Sequence, residues 1–109
     1  MDQNTTLALR ELQKALSSLY GIKAPRVFVY GSTAREQATD SSDIDVLLLY
    51  PYTVQPGREI ARLSPVLADL NLRYQVLISI LPTTEEDFRD APGSFWGNVR
   101  KEGIPIGAV

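Results

Sequence analysis

Val27-Phe28-Val29-Tyr30-Gly31-Ser32-Thr33-Ala34-Arg35, followed by Ser42-Asp43-Ile44-Asp45-Val46-Leu47-Leu48-Leu49, is the stretch on which the reading of this chain turns. It reads as strand, tight Gly-Ser turn, short helix, loop, strand. Asp is depleted in strands, because its short polar side chain competes with the backbone. Asp43 and Asp45, at i and i+2, point to the same face of the sheet. That arrangement is costly unless a cation lies between them. Mg²⁺ is the expected one, since it takes oxygen ligands and shares one or two carboxylates with substrate phosphates. Gly31 lets the chain turn sharply beside a ligand, and the residues after it suit the first turn of a helix. A helix start offers unpaired N–H groups to a phosphate, to which Ser32 adds a hydroxyl and Arg35 a permanent positive charge. Anion cradle and cation ligands thus fall on neighbouring strand ends, the layout that phosphoryl or nucleotidyl transfer needs.

Working outward, the 109 residues suit one domain spanning residues 1–109. Apolar content of 44% and charged content of 22% are those of a soluble globular protein. A net charge of −2 argues against a direct nucleic-acid binder. With no Cys and no His, disulfides, thiolate metal sites and the commonest general base are excluded. Any chemistry must use carboxylates, a metal ion and hydroxyls. No apolar run reaches membrane-spanning length and no signal peptide opens the chain, so no membrane role and a cytoplasmic location are expected.

Leu9, Leu12, Leu16 and Leu19 give an amphipathic helix over residues 4–20, capped by Asn4 or Thr5 and ended by Gly21. Arg26 to Tyr30 is a near-continuous apolar strand, hence central. Tyr30 either packs beside the turn or touches a nucleotide. Ser41 and Ser42 either support Asp43 or make ordinary turns. Ile44 to Tyr50 is the second strand. Ile60, Leu63, Leu67 and Leu70 mark a further helix, which Ser64-Pro65 either restarts or kinks. Arg58 and Arg62 lie off its stripe, as solvated cations or as polyphosphate guides. Tyr74 to Leu81 is the third strand, ended by Pro82. Thr83 caps a short helix that begins with acidic residues, and Ser94 caps the last one. Phe95 and Trp96 are core or an exposed apolar patch.

Gly31-Ser32, ten intervening residues and Asp43-x-Asp45 together resemble the signature of the DNA polymerase β-like nucleotidyltransferases, and the short chain most resembles their minimal branch. The likeness covers residues 26 to 104, through Arg73-Tyr74-Gln75-Val76-Leu77-Ile78-Ser79 and the closing Phe95 to Ile104. It implies the nucleotidyltransferase fold, an α/β (α+β) arrangement of a small mixed sheet packed with helices, with the first two strands antiparallel. It also implies transfer of a nucleoside monophosphate from a nucleoside triphosphate, ATP being the expected donor, to a hydroxyl. Asp43 and Asp45 would be catalytic and hold Mg²⁺, while Gly31, Ser32 and Arg35 would bind the nucleotide. The third-strand carboxylate of most such catalysts is matched here by Gln75, a neutral amide and a weaker ligand. Minimal members commonly act as antitoxins beside a HEPN ribonuclease toxin. Two functions therefore stand: an enzyme that adenylylates a protein or RNA hydroxyl, within a hetero-oligomer, and a pseudoenzyme that binds nucleotide and blocks its partner by contact.

Overall fold

The computed structural model describes residues 1–37 and 43–107. The readings of Ser41 and Ser42 lie outside them. In chain order come α1 (Gln3–Tyr20), a 3-10 turn (Gly21–Lys23), β1 (Arg26–Tyr30), α2 (Gly31–Ala34), β2 (Ile44–Tyr50) and α3 (Pro56–Tyr74). Then follow β3 (Ile78–Thr84), α4 (Glu85–Asp90), α5 (Ser94–Glu102) and β4 (Ile104–Pro105). The sheet order is β3-β2-β1-β4, with β1 antiparallel to β2 and β4, and β2 parallel to β3. The mixed sheet with helices on both faces is the expected fold, and its antiparallel first pair is the expected one.

The period of two along the strands divides the core. On one face Ile44, Val46, Leu48 and Tyr50 of β2, with Val27 and Val29 of β1, pack under Leu9, Leu12 and Leu16 of α1 and Leu63, Leu67 and Leu70 of α3. On the other, Phe28, Leu47 and Leu49 meet Val99 of α5, with Phe88 and Trp96 alongside. Because β1 and β2 are interior strands, both their faces are apolar, as continuous runs rather than alternation imply. Leu48 is fully buried. Leu48→Ala should cost about 2–5 kcal/mol, read as a lowered urea midpoint with an unchanged slope.

At the end of β2 away from Asp45, Tyr20 donates to buried Glu59 at 2.5 Å and stacks edge-on against Tyr50. Arg62 lies over the Tyr20 ring at 4.4 Å, which puts it with this cluster and not with the Gly-Ser turn.

Several boundaries differ from the sequence reading. Asp2, not Asn4 or Thr5, caps α1 by accepting the Thr5 N–H. The stripe residues Leu19 and Ile60 are exposed. Gly21 does end α1, in a positive-φ conformation that suits glycine. Pro65 sits inside a single helix of 19 residues. Thr84, not Thr83, caps α4 by accepting the Asp87 N–H, and Gly93, not Ser94, stands at the N-cap of α5.

The third strand carries the correction that matters for the site. It runs over Ile78–Thr84, four residues later than the apolar run suggests, and it contains Pro82. An edge strand tolerates proline, whose missing N–H can face outward. The start is delayed because α3 persists through Tyr74, helped by an Arg73–Asp69 pair at i,i+4. Asn71 then closes the helix: its carbonyl accepts the Val76 N–H at 3.1 Å and its side chain accepts the Ile78 N–H at 2.9 Å. Gln75 is the C-cap, in the left-handed region at φ 54°. It is therefore outside the sheet, with no register partner on β2.

Candidate functional site

The site forms where β1 ends and β2 begins. Antiparallel pairing sets Tyr30 opposite Asp45, so the turn that follows Tyr30 folds over the Asp45 side chain. Gly31 opens α2 at φ +73°, and a Cβ built there would lie 2.5 Å from Asp45 Oδ2. Only glycine permits that approach, for reasons of both conformation and space. The one-turn α2 leaves its leading N–H groups without acceptors four residues back. Its far end is tied down by Arg35 N–H to Gly31 O at 3.2 Å and Gln37 N–H to Ser32 O at 2.9 Å.

Asp43 is exposed and lies one residue before β2, whose start is pinned to the sheet by Ile44 N–H donating to Leu77 O at 2.8 Å. Asp45 is half-buried. Burial pushes its carboxyl above the usual carboxylate range and the negative charge of Asp43 adds to this, while Arg35 opposes it. The Tyr30 phenol is likewise raised, first by burial and then by the charge of Asp45. Gly31, Ser32, Asp43 and Asp45 thus meet at one corner, and Arg35 is near enough for its charge to be felt there. The Arg35 guanidinium is shared with Glu102 of α5 at 3.3 Å.

Sequence reasoning missed the neighbour of Asp45 on β3. That residue is Ser79, its register partner across the parallel ladder. Parallel partners project to the same face, so the residue beside Asp45 on the third strand is the exposed Ser79 and not Gln75. No local signal marks it, because the frame of β3 follows from Asn71 closing α3 and from Pro82 lying in an edge strand.

Mg²⁺ fits these residues. An Asp45 carboxylate disfavoured by burial and by the neighbouring charge of Asp43 suits a cation that completes its shell with phosphate and water. Among the described residues no cluster of three or more acidic, His or Cys side chains forms an all-protein cage. Nor is any described helix long and apolar enough to cross a membrane.

Comparison with known proteins places the chain in a family. The nucleotidyltransferase domain family matches residues 9–101. A provisionally named protein adenylyltransferase of Methanocaldococcus jannaschii is 30% identical over 105 residues, 92% of this chain and 95% of that one. A second such protein from the same organism is 31% identical over 71 residues, 65% of this chain and 71% of its own. A solved minimal nucleotidyltransferase, also provisionally named, superposes with TM-score 0.57 at 27% identity, covering 97% of both chains. A toxin–antitoxin structure with AMP-PNP shares the fold with TM-score 0.60 at 17% identity, over 99% of this chain and 75% of that one. By the family model that matches residues 9–101, by its relatives and by its fold, the chain belongs to the nucleotidyltransferase domain family.

Proposed function

We propose that the protein is a Mg²⁺-dependent nucleotidyltransferase that moves AMP from ATP to a hydroxyl of a partner protein, acting as a cytoplasmic antitoxin on a HEPN-type ribonuclease toxin. The observation that carries the proposal is the approach of Gly31 to Asp45, which joins a phosphate turn to a carboxylate pair. The likeness to proteins named as adenylyltransferases and to a toxin–antitoxin structure supports the donor and the kind of partner.

In this reading the leading N–H groups of α2 and the Ser32 hydroxyl bind the terminal phosphates. Asp43 and Asp45 would hold Mg²⁺, which would supply neutralisation of phosphate charge for an in-line displacement. The acceptor oxygen forms a bond to the α-phosphorus, the bond from that phosphorus to the bridging oxygen breaks, and pyrophosphate leaves. The hydroxyl proton goes to water or to a base on the partner, because Ser79 cannot serve as a carboxylate base. That neutral Ser79 favours a second reading, in which the protein binds nucleotide and restrains its partner by contact with little transfer.

Binding tests the shared first step. ATP with Mg²⁺ at about a hundred times Kd adds about 2.7 kcal/mol, enough to raise the melting temperature by about 10 °C. Asp45→Asn should melt slightly higher than the wild type without ligand, since it removes a carboxylate disfavoured by burial and by Asp43. It should then gain almost nothing from ATP and Mg²⁺. Equal ligand stabilisation of variant and wild type would defeat the assignment of the metal ligands.

A further inference from the structure

Next to the Gly-Ser turn, and sharing Gly31 with it, lies a second concavity. It has a volume of about 220 Å³ and is lined by Tyr30, Gly31, Arg35, Phe95, Asn98 and Glu102. The last three recur at i, i+3 and i+7 along α5 and so share one helix face. The volume is below the roughly 300 Å³ at which clefts for drug-sized ligands begin. It suits a single heteroaromatic ring system.

Its charge argues against phosphate. Glu102 pairs with Arg35 across the pocket wall, so the guanidinium is offset and an unpaired polyanion would meet a carboxylate. Its apolar side argues for a ring. Phe95 is 44% exposed, yet it is held edge-to-face by Tyr30 (5.8 Å, 87°) and by Trp96 (5.1 Å, 85°). An exposed ring already fixed in orientation loses little freedom when another ring stacks on it. Asn98 is exposed on the same face, and its amide offers a donor and an acceptor side by side, the pair that matches the N6/N7 edge of adenine. Gly31 belongs both to this wall and to the phosphate turn. The phosphate turn and the pocket therefore adjoin, so that one nucleotide can engage both.

We infer that this pocket takes the adenine of the donor nucleotide, stacked on Phe95 and read along its edge by Asn98. The inference rests on the nucleotidyl-transfer reading and assigns base selection to α5. It is tested by calorimetry with Mg²⁺ on wild type, Phe95→Ala, Phe95→Leu and Asn98→Ala, using ATP, CTP and inorganic tripolyphosphate. Wild type should bind ATP at least tenfold more tightly than tripolyphosphate. Phe95→Ala should lose roughly tenfold to a hundredfold in ATP affinity with tripolyphosphate unchanged. Phe95→Leu keeps apolar packing but not the stack and should lose nearly as much, which answers the case in which the alanine variant does not fold. Asn98→Ala should narrow the preference for ATP over CTP. Equal binding of ATP and tripolyphosphate by wild type, or undiminished ATP binding by Phe95→Leu, would overturn the base pocket and leave the phosphate site standing. Binding of neither ligand by wild type would overturn both.

Discussion

Gly31→Ala should lower nucleotidyl transfer by about a hundredfold or more, the loss expected when a catalytic group is displaced by about 1 Å. Two effects act together. Alanine at φ +73° adopts a left-handed conformation that costs it roughly 1–2 kcal/mol. Its Cβ would also stand 2.5 Å from Asp45 Oδ2, so either the turn or the carboxylate must move. Both are site elements, so the loss appears in single-turnover transfer and in ATP binding. Gly57→Ala is the control. It lies near the start of α3, its added Cβ meets nothing within 4 Å, and its φ is not positive. That variant should transfer like the wild type. Activity of Gly31→Ala within a few-fold of wild type would mean that the approach of turn to carboxylate is incidental.

Ser79→Asp should act in the opposite direction. Ser79 is level with Asp45 across β2 and β3 and is exposed on the face that carries the Asp45 carboxylate. An aspartate there supplies an anionic oxygen beside the acceptor. One added transition-state electrostatic contact is typically worth about 10²–10³ in rate. The expected result is a gain of that order in single-turnover transfer, with ATP affinity little changed. The same substitution at Gln75 should do nothing, since Gln75 caps α3 outside the sheet. If the wild type is already fast and Ser79→Asp no faster, two carboxylates suffice. A gain at Gln75→Asp with none at Ser79→Asp would contradict the strand register.

The difference between those positions shows how far the residues alone can be read. β1 and β2 are legible because each is an apolar run bounded by turn formers or by proline, and both are interior strands whose character is uniform. The corner of Gly31, Ser32, Asp43 and Asp45 is legible because glycine marks a sharp turn at a helix start and aspartate is disfavoured in a strand. The frame of β3 is not legible. It depends on Asn71 closing α3 through its backbone and side chain, and on Pro82 lying in an edge strand, both decided by tertiary neighbours. β4 has two residues, too few for any periodicity, and exists only through its pairing with β1. The Phe95, Asn98 and Glu102 face of α5 gains meaning only once Tyr30 and Arg35 are placed opposite it.

The most direct measurement of the central claim is transfer itself. The protein is incubated with ATP labelled at the α-phosphate, Mg²⁺ and the product of the adjacent gene, and label is followed into protein. One or more AMP groups should appear on a hydroxyl side chain of the partner, dependent on Mg²⁺ and lost in Asp43→Asn/Asp45→Asn. Label that persists undiminished in the double variant would contradict it, as would a partner that stays unlabelled in a folded complex with nucleotide-bound protein.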